Sequence, residues 1–201
     1  MTISGIDTYT PINSQSVANC LSGYAWIGRY ITQDDGGAYL TPQEVTYLHN
    51  AGLLITSIWT AAYWSESTLP MNSYGGTVEG QQAVAMAQYV GQPTKSVIVL
   101  DMEDWDSSNQ TDWEDYMVSW ASAVNAGGYF PCLYGPEVVF SNVIDATKNH
   151  FDGNWLAVGT PVSSIPAGYS VVQGVQNQSL CGITVDYDLM HSADYYGDWT
   201  W

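Results

Sequence analysis

Hydrophobic and polar positions along the chain follow two alternating rhythms. Short apolar runs rich in β-branched and aromatic residues, such as Val97-Ile98-Val99-Leu100, read as strands buried on both faces. These runs predict strands at 3–7, 24–31, 53–59, 96–100, 130–134, 154–158, 170–175 and 183–188. Between most of them the apolar residues recur at helical spacing. Helices are predicted near 14–21, 41–50, 77–90, 111–127 and 136–146.

Helix boundaries carry their own signals. Thr41-Pro42-Gln43-Glu44 reads as a capping box with Pro in the first turn, and Gly52 lies just past the stop at Asn50-Ala51. Thr111-Asp112-Trp113-Glu114 repeats that logic, and Trp113, Met117, Trp120 and Val124 then form one apolar stripe. Asp104, Asp106 and Asp112 fit helix starts, where carboxylates are favoured. The last connections are short and rich in Gly, Pro and Ser, so their helices are shortened or missing.

Eight strands with interleaved helices predict one domain spanning 1–201, a closed (β/α)8 barrel of the TIM type. An open doubly wound sheet is the alternative. No Gly-x-Gly-x-x-Gly follows any strand, which argues against a dinucleotide site.

A barrel gathers the C-terminal ends of its strands around one mouth. Asp7 ends the first predicted strand, Asp101 and Glu103 the fourth, and Asp186 and Asp188 the eighth. Asp101 and Glu103 are two apart, so on extended backbone they share a side while Met102 points away. Paired carboxylates of this kind cleave glycosidic bonds, one as a protonated acid and the other as a charged stabiliser. Glu103, with the longer side chain, is the expected acid; Asp7, Asp101 and the strand-eight carboxylates are expected to meet it at the mouth, and the resemblance below picks Asp186 with Asp7 and Asp101 to complete the catalytic set.

Composition narrows the partner. Three basic residues against twenty acidic ones give a net charge of −17, which disfavours nucleic acid and anionic membrane surfaces but not a neutral glycan. Nine Trp and fifteen Tyr supply amphipathic rings on which sugar faces rest. Tyr9, Arg29, Trp59, Tyr134, Trp155 and Asp188 form the expected substrate-binding set, which the resemblance below extends to Gln173, with Arg29 expected to pair with a mouth carboxylate as support. His49 reads as solvated or packed on its helix. No spacing suggests a metal site or a cofactor, and neither is expected. Cys20, Cys132 and Cys181 read as free, mostly buried small hydrophobes, with one disulfide as the other possibility. The N-terminal residues resemble no signal peptide, and no stretch is long enough to span a bilayer.

Several motifs occur in a telling order: Gly5-Ile6-Asp7, Gly28-Arg29-Tyr30, Leu100-Asp101-Met102-Glu103, Pro131-Cys132-Leu133-Tyr134-Gly135, Asn154-Trp155-Leu156-Ala157 and Val185-Asp186-Tyr187-Asp188. Together they resemble the glycoside-hydrolase-like barrel first catalogued as domain of unknown function family 1906. More distantly they resemble glycoside hydrolase family 25, the muramidases that cut peptidoglycan between N-acetylmuramic acid and N-acetylglucosamine. The resemblance places the acid at Glu103, its partner at Asp101, the strand-one and strand-eight acids at Asp7 and Asp186, and a polar strand-seven residue at Gln173. It leaves open whether the substrate acetamido group or a carboxylate acts as nucleophile. Asp7-Thr8-Tyr9 departs from the Asp-x-Ser of the muramidases.

The expectation is therefore a monomeric, extracellular or wall-associated glycoside hydrolase acting on cell-wall polysaccharide. The alternative is a barrel that binds glycan without cleaving it.

Overall fold

The computed structural model describes residues 1–33, 38–61, 69–103, 105–143, 145–191 and 200–201. Asp104, expected at a helix start, and positions 62–68 of the Trp-rich loop lie outside the described residues. The strands are β1 (Thr2–Thr8), β2 (Trp26–Tyr30), β3 (Leu54–Thr60), β4 (Val97–Asp101), β5 (Phe130–Pro136), β6 (Gly153–Ala157), β7 (Val171–Gln173), β8 (Gln178–Leu180) and β9 (Ile183–His191). The helices are α1 (Gln15–Cys20), α2 (Pro42–Asn50), α3 (Ser73–Tyr89), α4 (Gln110–Ala126), α5 (Glu137–Asn142) and α6 (Asp145–Lys148).

Strands β1 to β7 pair in sequence order and in parallel, and β9 closes the ring between β7 and β1. The barrel is thus an α/β barrel with few late helices. Its closing strand differs from the expected form, because β9 runs antiparallel to both neighbours. The reason lies in the connection. Only the short strand β8, and no helix, separates β7 from β9. A parallel return needs a crossover of a dozen or more residues, whereas antiparallel neighbours need only a short turn.

Period-two alternation sorts the strand residues into two layers. Trp26, Ile58, Val97, Val99, Cys132, Trp155, Val171 and Met190 fill the barrel interior. Ile27, Ile55, Ile98, Leu100, Leu133, Leu156 and Val172 face outward into the larger core under the helices. The predicted α4 stripe of Trp113, Met117, Trp120 and Val124 is buried in that outer core. Helices α3 and α4 approach closely because Gly76 and Gly80 lack side chains. A Cβ at Gly76 would lie 2.1 Å from the Tyr116 carbonyl oxygen, and one at Gly80 2.7 Å from that of Trp120.

Local starts differ from the predicted ones in instructive ways. The Thr41 hydroxyl accepts the Glu44 N–H at 3.2 Å, but the Glu44 carboxylate does not return to close the box. It binds Arg29 at 2.6 Å and the Ile12 N–H at 3.0 Å instead. An ion pair offers more than a neutral backbone donor. Helix α4 begins at Gln110, so Thr111 lies inside it; a 3-10 turn precedes it, capped by Asp106, which accepts the Ser108 N–H at 2.9 Å. Helix α3 starts at Ser73 under an Asn72 cap, before the predicted 77.

The free-thiol expectation fails for two of the three cysteines. Cys20 of α1 is bonded to Cys181, and only Cys132 is a free, buried thiol. Cys181 and Gly182 form a two-residue hairpin turn between β8 and β9, both with positive φ, at 54° and 82°. This primed geometry matches the twist of the paired strands.

Candidate active site

The mouth is built from the C-terminal ends of the parallel strands and the beginning of β9. Because β9 is antiparallel, its first half reaches the mouth, and Asp186 sits opposite Asp7 in the β1–β9 register. Asp186 was expected there as the end of a parallel strand. It arrives from the opposite direction.

Gln173 at the end of β7 is the hub. Its side-chain N–H groups donate to Asp7 Oδ2 at 2.7 Å and Asp186 Oδ2 at 3.0 Å. Its Oε1 accepts from the Tyr134 hydroxyl at 2.9 Å and from Gln176 Nε2 at 2.6 Å. Tyr134 also lies 3.4 Å from Glu103 Oε1, linking the β4 acid to the β1 and β9 acids. Asp101 accepts from the Tyr30 hydroxyl at 3.1 Å, and the Asn177 N–H donates to Asp186 Oδ1 at 2.6 Å.

Exposure differs sharply among the acids. Glu103 is open to solvent, Asp186 is half-buried, and Asp7 and Asp101 are buried. Two recesses meet this cluster. One of about 120 Å3 is lined by Asp7, Tyr9, Tyr30 and Asp186, and one of about 320 Å3 by Glu103, Tyr134, Val158 and Gln176.

Burial and like charge govern the electrostatics. Burial, then the Asp186 charge, pushes Asp7 up to about 7, against the lowering hydrogen bond from Gln173. Partial burial raises Glu103, assisted by the Asp186 charge and opposed by the Tyr134 hydroxyl. Burial also raises Asp186, while the Asn177 N–H holds it back. Tyr30 and Tyr134 are pushed well above the usual phenol range, chiefly by burial and next by Asp101, so both stay neutral hydrogen-bond donors. A solvent-accessible acid with a raised pKa can deliver a proton near neutral pH. Among the described residues, no group of three or more His, Cys, Asp and Glu side chains has metal-ligating geometry.

The structure brings Asp7, Asp101, Glu103, Asp186, Tyr134 and Gln173 together, with Tyr9 at the rim against the Tyr30 ring at 5.6 Å. Four other predicted site residues do not line the open mouth. Arg29 faces outward, fully buried on Glu44 of α2 and on the Thr8 and Ala38 carbonyls, rather than pairing with a mouth carboxylate. Trp59 also faces outward, its indole N–H on Glu79 of α3 at 3.1 Å. Both occupy the odd phase of strands whose even phase lines the barrel. Trp155 is fully buried inside the barrel, edge-on to Trp26, and Asp188 is buried beside Gln173 and Gly5. Neither presents a surface to a bound polymer.

Three contributors were not foreseen. Tyr30 carried a signal, since it is two residues beyond Gly28 and so shares the inward phase of β2. Gln176 and Asn177 carried none, because they sit in the irregular turn between β7 and β8.

Fold and site define an α/β barrel whose mouth gathers carboxylates at the C-terminal ends of its parallel strands, the face where such barrels hold their active sites. Solved structures share the architecture at low sequence identity. A B. stearothermophilus protein aligns with a TM-score of 0.76 at 17% identity, over 99% of this chain and 100% of its own. The Tat-secreted Mycobacterium tuberculosis protein Rv2525c, in complex with L-tartrate, aligns at 0.74 and 17%, over 98% of each chain. The modular autolysin LytC of Streptococcus pneumoniae aligns at 0.71 and 14%, over 94% of this chain and 47% of its own. A search of the curated proteins found no match. The family model of the Rv2525c-like, glycoside hydrolase-like domain matches residues 19–191, and the chain belongs to that family.

Proposed function

We propose that this protein is a glycoside hydrolase acting on bacterial cell-wall glycan in the manner of a muramidase. The observation that carries the reading is the gathering of acids distant in sequence: Tyr134 sits against Glu103 and donates to Gln173, whose amide donates to Asp7 and Asp186. In this reading the Glu103 carboxyl gives its proton to the leaving oxygen as the glycosidic C–O bond breaks. Asp7, Asp101 and Asp186 stabilise positive character at the anomeric carbon; water then supplies the hydroxyl that replaces the leaving group and gives its other proton back to the Glu103 carboxylate. Tyr9 is the exposed ring available to a sugar face at the rim.

The fold neighbours support the substrate class. LytC is described with a synthetic peptidoglycan ligand, and the Cpl-1 endolysin with a peptidoglycan analogue. The site of action is outside the cell membrane, in or near the wall. A Cys20–Cys181 bond suits an oxidising compartment, and Rv2525c is described as Tat-secreted. Among the described residues, no helix is long and apolar enough to cross a membrane.

The test is release of reducing ends from purified peptidoglycan by the native protein and by Glu103→Gln, with polymer binding measured alongside. Loss of a general acid lowers the rate by roughly 10²-fold or more while binding persists. Equal rates from the two proteins refute the role of Glu103. Binding without turnover in either makes the barrel a glycan-binding module.

A further inference from the structure

The hydrolytic reading leaves one buried carboxyl unused. Asp188 is 3% exposed and lies on β9 one inward position deeper than Asp186. In register it sits opposite Gly5 of β1 and Gln173 of β7. Neither neighbour serves it. The Trp26 ring occupies the space beside Gly5, where a Cβ would lie 2.0 Å from it, and the Gln173 amide donates to Asp7 and Asp186. The Trp155 indole N–H turns toward Asp188 without reaching hydrogen-bond geometry, and no donor reaches either carboxyl oxygen of Asp188.

The titratable groups facing Asp188 are Asp7 on β1, Asp186 on its own strand and the Tyr134 phenol on β5. None of the three basic residues is among them: Arg29 is held by Glu44, Lys95 is exposed before β4, and Lys148 belongs to α6. Asp7 and Asp188 are diagonal neighbours on the inward face of the β1–β9 pair, both buried, and two such carboxyls without a cation cannot both be charged. Asp7 has an amide donor to support a charge, and Asp188 has none.

We propose that Asp188 is a protonated acid whose O–H donates to Asp7, making it a positioning residue that holds Asp7 as the charged member of a two-carboxyl, one-proton unit beneath the mouth. Burial, followed by the Asp7 charge, holds Asp188 well above the usual carboxylate range. The same contact lowers Asp7 and offsets part of its own burial. Such a unit titrates in two joint steps. The shared proton rests on the register and burial of the two acids; its service to substrate rests on the hydrolase reading.

Two variants separate the roles. Asp188→Asn keeps an N–H donor in the same place, and Asp188→Leu keeps the shape without a donor. Carbon-13 titration of the aspartate carboxyls in the intact chain should show one that stays protonated through neutral pH and is missing from Asp188→Asn. In Asp188→Leu the Asp7 midpoint moves to higher pH. In peptidoglycan cleavage, Asp188→Asn should retain kcat/KM within about 3-fold, while Asp188→Leu loses about 10- to 100-fold with its pH profile displaced. An Asp188 carboxyl that ionises in the ordinary range overturns the proposal. So does an Asp188→Asn protein as impaired as Asp188→Leu, or an Asp188→Leu protein as active as the native one. If Asp188→Leu does not fold, the native and Asp188→Asn titrations still decide. If no form cleaves peptidoglycan, the hydrolase reading fails while the titration still locates the proton.

Discussion

Removing the Cys20–Cys181 bond is a direct measure of what closes this barrel. The bond joins residues 161 apart and ties α1 to the β8–β9 turn, so it pins the hairpin that brings Asp186 to the mouth. In the chain-entropy relation a span of that length confines the unfolded chain by about 5 kcal/mol at 25 °C, and measured bridges return roughly 2–5 kcal/mol. That is a large share of the roughly 5–15 kcal/mol by which folded domains are stable. Replacing both cysteines by serine avoids leaving a reactive thiol. With a urea dependence of roughly 2 kcal/mol per molar, the unfolding midpoint of Cys20→Ser/Cys181→Ser should fall by about 1–2.5 M. The slope itself should steepen, because the released unfolded chain exposes more surface. Reductant should move the native protein to the same midpoint and leave the double variant unchanged. A fall below about 0.5 M, worth about 1 kcal/mol on that slope, refutes the account.

Other outcomes follow from the same contacts. Glu44→Leu strands the Arg29 guanidinium in the outer core, and breaking a buried pair costs about 3–5 kcal/mol, so thermal unfolding should shift down by roughly 6–20 °C. A shift below about 3 °C refutes that pairing's weight. Asp7, raised to about 7 in the folded state, contributes stability that is full below about pH 4 and lost as pH rises through about 7. Melting temperatures of Asp7→Asn should therefore depend less on pH across that window than those of the native protein, and identical slopes contradict the shift.

Much of this architecture is written locally. The odd-numbered residues of β4 carry Val97, Val99 and Asp101 inward, and the even-numbered ones send Ile98, Leu100 and Met102 outward, so the Asp101–Glu103 pair is legible from alternation alone. The α4 stripe was legible for the same reason, since 3.6-residue spacing puts Trp113 to Val124 on one face. Alternation does not say which phase of an isolated strand becomes the interior. Arg29 and Trp59 read as mouth residues from their strand-end positions, yet they occupy the outward phase, and their neighbours Gly28 and Ile58 line the barrel. Glu44 shows the same limit at a helix start, where a partner across the fold outbid the nearby backbone.

Residues within a few positions of one another determined which segments are strands and helices and which side chains share a face. Tertiary structure decided the direction of β9, the bond between Cys20 and Cys181, the hub at Gln173 and the burial of Asp188. Each of those depends on contacts between residues far apart in the chain. Their energies arise only when the ring closes and water leaves its interior, so no short stretch of sequence encodes them.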